Sequence, residues 1–184
     1  MIAWHGSCHN FQKFRISRAL TSESSLQNEG MGIYFSTDRS VAEAYGRYIY
    51  TIEINDRQLK DFRTLRACRK YISDMLEYAR QKTGIDLSDI IDIENIAVYI
   101  HEGQIAVSGA ARETELILDS SAYWYSAFSE TARTRALQSL RAFENKNLAA
   151  YLLPETKYGI KGCGIIRKAT PEVVTILSKK LIGR

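Results

Sequence analysis

Between Tyr48 and Ala79 the spacing of apolar residues changes from two to three and four, and that change constrains the fold more than any other feature of the chain. Tyr48, Tyr50, Ile52 and Ile54 alternate with smaller or more polar neighbours, the period of a half-buried strand. From Asp56 onward Leu59, Phe62, Leu65, Cys68, Ile72, Met75 and Ala79 recur at helical spacing, and Gly84 stands where the helix should end. A second helix is expected from Ser88 to Tyr99, and another near Ser129 that buries Ala132, Ala136, Leu140 and Phe143. Strand patterning returns at 148–153, 164–167 and 173–177, punctuated by Gly159, Gly162 and Pro171. Two β blocks around a helical stretch of about 56–147 predict an α+β fold with a largely antiparallel sheet, carried as a single domain over 1–184.

With 184 residues, 45% of them hydrophobic, one domain can bury roughly 70% of its unfolded surface. The first residues lack the basic and apolar regions of a secretory signal, and no apolar run approaches membrane-spanning length, so a cytoplasmic protein with no membrane partner is expected. Cys8, Cys68 and Cys163 are odd in number, far apart and without a CxxC pair; they read as reduced thiols, mostly buried. A net charge of +4 permits an anionic partner without demanding one, and a plain nucleic-acid-binding protein would need a denser basic stripe. The local clusters Arg63, Arg66, Arg69, Lys70 and Arg133, Arg135, Arg141 read first as solvated helix faces.

The first 55 residues read as strand, loop, strand, helix, strand. Residues 2–5 form the first strand, Gly6 opens a turn, and Phe11 and Phe14 pack a short return. A turn follows at 28–32, a strand at 33–35, and Thr37 or Asp38 caps a helix through Val41, Ala44 and Tyr45. Taken singly, His5 is an ordinary histidine at a strand end, Tyr34 and Tyr45 are core aromatics among 11 tyrosines, and Glu172 is a surface residue at a strand start. His5 and His9 could pair on a metal only along a helix, which Gly6-Ser7 disfavours, so no metal site is expected.

Taken in order, the segments say more. Trp4-His5-Gly6-Ser7, Gly32-Ile33-Tyr34-Phe35, Ala44-Tyr45 and Glu172-Val173-Val174 resemble the His-Tyr-Glu class of ADP-ribosyltransferases, which includes the poly-ADP-ribose polymerases and diphtheria toxin. The resemblance spans roughly residues 2–54 and 157–182 and leaves the helical middle unmatched. It implies a split, mostly antiparallel sheet and NAD as co-substrate without a metal. By similarity His5 would bond the adenosine ribose, the Gly6 backbone would hold the nicotinamide carboxamide with Ser7 close by, and Tyr34 and Tyr45 would sandwich the nicotinamide ring. Glu172 would be the catalytic carboxylate, with His5 and Tyr34 beside it. Its hydrogen bond to the ribose 2′-hydroxyl would strengthen as positive charge builds on the sugar.

The activity implied is transfer of ADP-ribose to a protein or nucleic acid with release of nicotinamide, in a toxin, phage or defence setting where an antitoxin or other regulatory protein is a conceivable partner. Ala42 stands where several polymerases have a serine that touches the carboxamide, which implies a weaker or differently arranged hold on NAD, and Thr170 stands where arginine-modifying relatives carry Glu or Gln, which argues against an arginine acceptor; with nothing specific to chain elongation, single transfer is the simpler expectation. Lys161, Arg167 and Lys168, between Lys157 and Pro171, are expected to form an acceptor-selecting loop that favours acidic or phosphate-bearing targets. An NAD glycohydrolase and a catalytically silent NAD- or ADP-ribose-binding module are the competing readings.

Overall fold

The structure, a computed structural model, describes residues 1–16, 32–155 and 159–183. The turn expected at 28–32 lies outside these residues apart from Gly32, as does Lys157. The fold is α+β, with a curled, mostly antiparallel seven-stranded sheet in the order β4-β5-β6-β2-β1-β3-β7. The strands are β1 (Ile2–Ser7), β2 (Ile33–Ser36), β3 (Tyr48–Ile54), β4 (Leu59–Asp61), β5 (Ala150–Leu152), β6 (Cys163–Ile166) and β7 (Val174–Leu181). The chain forms two compact units: residues 1–61 with 148–184, which hold the sheet, and residues 62–147, which are helical.

In the sheet unit, alternation puts Ala3, Tyr50, Ile52 and Ile54 on one face, where they join Ile33, Phe35, Ile166 and Val174 in the core. The short helix α1 (Arg39–Glu43) lies on β1, β2 and β3 and is capped as expected by Asp38, whose carboxylate accepts the Ser40 amide at 2.8 Å. Those same Ser40 bonds hold the Asp38 carboxyl below its usual value.

The expected helix from Leu59 begins later. Leu59–Asp61 pairs in parallel with Ala150–Leu152, so Leu59 keeps helical spacing to Phe62 by coincidence and serves a strand. Helix α2 (Leu65–Thr83) starts after Thr64, whose hydroxyl accepts the Ala67 amide at 3.2 Å, and ends at Gly84, which adopts the left-handed conformation with φ of 75°. Ser88 caps nothing; it is tied to Asp86, and α3 (Ile93–His101) starts from Asp92. Two further helices, α4 (Ala110–Asp119) and α5 (Ala122–Ala127), precede α6 (Glu130–Asn147), whose first turn does use Ser129. Helix α2 packs on both α3 and α6, with Cys68, Ile72, Met75 and Ala79 fully buried.

Helix α4 has no side-chain cap of its own, because Gly109 holds the cap position. The buried carboxylate of Glu144 on α6 accepts the Ala111 amide instead, at 3.0 Å. The basic clusters of this unit are solvated faces, with Arg69 paired to Glu94 and Lys70 to Asp74. Trp124 is buried while Tyr123 and Tyr125 are exposed. Among the described residues, no helix is long and apolar enough to cross a membrane.

Candidate functional site

Strands β1 and β2 pair at one position, Trp4 opposite Ser36. Two residues further the antiparallel register would set Gly6 opposite Tyr34, and there a side chain takes over. A ring nitrogen of His5, Nδ1, lies 2.6 Å from the Tyr34 carbonyl oxygen and spans the two strands. Against β3, the amide of Ile54 bonds the Met1 carbonyl, which makes Met1, Ala3, His5 and Ser7 the residues whose backbone groups face β3. Gly6 therefore aims its N–H and C=O the other way, into the opening toward β2.

The His5 ring sits among Phe11, Phe14 and Tyr50, with an edge contact to Phe14 at 5.2 Å. Burial holds its pKa below the ordinary histidine value, and the Tyr34 carbonyl pulls the other way. The imidazole is thus neutral, with its proton on the nitrogen that faces Tyr34. The second ring nitrogen is then an acceptor.

The sign of the pH effect follows. In the unfolded chain the imidazole titrates near its ordinary 6.5 and in the folded chain lower, so the unfolded state takes up the proton first. Stability contributed by neutral His5 is complete above about pH 6.5 and declines as pH falls through the lowered native value. The urea midpoint should drop between pH 7.5 and 5.5, and His5→Gln should flatten that drop; an undiminished slope in the variant would refute the assignment.

The other residues that the resemblance groups around nicotinamide lie about Gly6. A Cβ built there would lie 1.9 Å from the Ala42 carbonyl oxygen and 3.3 Å from the Tyr45 Cβ, so β1 and α1 touch backbone to backbone with Tyr45 alongside. Gly46 repeats the contact one step on, against the Ser7 carbonyl. The Ser7 hydroxyl accepts the His9 amide at 3.0 Å. Tyr45 is 46% exposed and Tyr34 half-buried, so both rings retain surface to offer.

Glu172 is not in this group. It lies in a turn before β7, and β7 pairs with β3 such that Val174 faces Ile54. His5 faces Tyr50, so at about 3.3 Å per residue Glu172 stands some six positions, about 20 Å, further along the sheet. Its backbone carbonyl accepts from the Asn55 side chain at 2.9 Å, and its carboxylate is lowered in pKa by its own amide and the Thr170 hydroxyl, local turn contacts. The strand register therefore does not bring Glu172 beside His5 and Tyr34, where its expected catalytic role would need it. The strand beside β2 is β6, and the residue in the row with Ser36 and Trp4 is Cys163.

The acceptor loop is corrected as well. Lys161 precedes β6 and pairs with Glu155 at 3.3 Å, whereas Arg167 and Lys168 follow β6, both amides bonding the Ala149 carbonyl. One buried guanidinium nitrogen of Arg167 lacks a hydrogen-bond partner among the described residues. The three cations occupy opposite ends of a strand rather than one loop, because Gly164 is a strand residue: a Cβ there would meet the Phe35 ring at 2.2 Å. None of the three described cysteines is in a disulfide; Cys68 alone is fully buried, its thiol pushed up to about 11 by burial, while Cys8 is exposed.

No protein-family model matches the chain, and no curated protein matches it. A solved structure described as an anti-CRISPR protein is 17% identical, with a TM-score of 0.41 over 99% of this chain and 95% of that one, a likeness too low to carry an argument.

Proposed function

We propose that this chain binds NAD by its nicotinamide end, in the opening between β1 and β2. The carboxamide meets the Gly6 backbone, Tyr34 and Tyr45 offer their rings to the pyridinium, Ser7 donates from its hydroxyl, and the unprotonated nitrogen of His5 accepts from a ribose hydroxyl. The observation that carries this reading is the pairing of β1 and β2 at Trp4–Ser36 alone, which turns the Gly6 amide into the opening beside Tyr45.

A second reading is mono-ADP-ribosyl transfer to a macromolecular acceptor, protein or nucleic acid. It is favoured by the identity of the gathered groups: the resemblance assigns them to nicotinamide, the leaving group, and a reader of ADP-ribose alone would have no use for them. In neither reading does Glu172 act.

Isothermal titration with NAD, together with chromatography of released nicotinamide, separates the possibilities. Tyr45→Ala should weaken NAD binding about tenfold, the loss of roughly 1.4 kcal/mol of stacking and cation–π attraction. Glu172→Gln should change neither affinity nor nicotinamide release. Release that depends on an added protein or nucleic acid indicates transfer, release in buffer alone indicates hydrolysis, and binding without release indicates a silent module. A turnover lost specifically in Glu172→Gln would reinstate the carboxylate and reject this arrangement.

A further inference from the structure

The charge of the chain is unevenly divided. The sheet unit carries 14 Lys and Arg against nine Asp and Glu, a net +5, while the helical unit carries 11 against 12, a net −1. Several acids of the sheet unit are already engaged: Asp56 with the amino terminus, Glu43 with Arg39 and Glu155 with Lys161. Arg47, Lys179 and Lys180 are exposed, and among the described residues none of them joins an ion pair.

Register puts these three cations beside the cleft. Lys180 faces Ile49, which faces Gly6, so the lysine shares a row and a sheet face with the proposed carboxamide contact, two strands or about 10 Å away. Lys179 faces Tyr50, which faces His5, and its ammonium group donates to Asn10. Arg47 precedes β3 directly after Tyr45-Gly46, and its carbonyl accepts the Ile182 amide beyond the end of β7. Strand β7 is the sheet edge, and its two lysines lie on opposite faces of it.

We propose that this edge, Arg47 with Lys179 and Lys180, binds single-stranded nucleic acid. The inference deepens the reading above by naming the acceptor class of the same cleft. Cations on both faces of one edge suit a continuous polyanion better than a single acidic side chain. An unpaired strand is required because duplex bases are held inside their stack and could not reach the opening at Tyr45.

The test is fluorescence anisotropy with labelled 12-nucleotide RNA and DNA of one sequence, on the full chain. Three phosphate contacts predict a slope of about −2 in log affinity against log salt, hence roughly 20-fold weaker binding at 200 than at 50 mM. Arg47→Glu/Lys179→Glu/Lys180→Glu should lose at least tenfold in affinity and flatten that slope while NAD binding, measured separately, is retained. The triple alanine variant should show the same direction if the charge reversals do not fold. The RNA and DNA arms state which sugar is preferred. Absent binding by the wild type, or binding untouched in both variants, overturns the proposal, as does full competition by poly-glutamate, which would mark an acidic protein as the partner. Variants that aggregate without losing nucleic acid affinity mark the lysines as guards of an open edge and overturn it too. Oligonucleotide binding by a wild-type chain that ignores NAD removes the NAD reading and leaves the edge standing.

Discussion

Gly6→Val is expected to abolish NAD binding and to destabilise the sheet unit by about 2–3 kcal/mol, the upper range for overpacking. The added side chain would begin 1.9 Å from the carbonyl oxygen of Ala42, a backbone atom inside α1 that also accepts the Tyr45 amide at 3.1 Å. No rotamer relieves a clash that starts at Cβ. Relief requires α1 to part from β1, which carries Tyr45 away from Tyr34 and rotates the Gly6 amide within the opening. Urea denaturation and NAD titration read the two effects separately. Gly109→Ala is the matched control, since its Cβ would meet only Ala106 at 3.9 Å and φ there is −106°. It should shift stability by less than about 0.5 kcal/mol, the usual range for sites without a packing conflict. Undiminished NAD affinity in Gly6→Val would remove Gly6 from the site.

Tyr50→Ala should cost about 3–5 kcal/mol, the range for deleting a fully buried aromatic ring. Tyr50 has no exposed surface, stacks on Phe11 with centroids 4.1 Å apart, and faces His5 across the β1–β3 ladder. Its hydroxyl accepts the Phe11 amide at 2.7 Å and lies within 3.2 Å of the His9 carbonyl and 3.3 Å of the Phe11 carbonyl. That single ring therefore holds the return after β1 over the imidazole. Burial also raises the phenol pKa, so the hydroxyl remains a donor at neutral pH. Tyr50→Phe keeps the stack and leaves a part-buried amide without its acceptor, and about 1–2 kcal/mol should be lost. Faster hydrogen exchange at the Phe11 amide in Tyr50→Phe would report the same contact directly. A phenylalanine variant as stable as wild type, with unchanged exchange, would show that the ring alone does the holding.

Of the two residues in these predictions, Tyr50 had a legible place before the fold was known, whereas Gly6, expected to open a turn, is a residue of β1 because the ladder to β3 runs on through Ser7. The alternation through Tyr48, Tyr50, Ile52 and Ile54 gives a strand because one face must be buried, and β3 is that strand. Asp38 and Gly84 mark helix ends through local chemistry, a short carboxylate for an open amide and a residue without Cβ for a positive φ. Leu59 was illegible for the opposite reason. Its three-residue strand exists only through a parallel partner some 90 residues later, and local spacing carries no trace of that partner. The two short helices α4 and α5 escaped likewise, one of them capped by a carboxylate from α6 rather than by a residue of its own.

The same division runs through the site. Trp4-His5-Gly6-Ser7 lie on β1, Tyr34 on β2 and Tyr45 in the turn just after α1, elements that pack on one another, so their order along the chain already implied much of their proximity. Strand order was decided elsewhere. Which of the last two strands lies beside β2 depends on hydrogen bonds between segments more than 100 residues apart, and the ladder takes β6 to β2 and β7 to β3. A carboxylate that reads as the catalytic partner of His5 in a linear motif thus stands at the far end of the sheet, and two lysines with no motif at all stand in the rows of His5 and Gly6. Residue type and local order are properties of short segments, governed by backbone sterics and side-chain period; register between distant strands is set only when the whole core closes, and it was that closure which chose the neighbours of the opening.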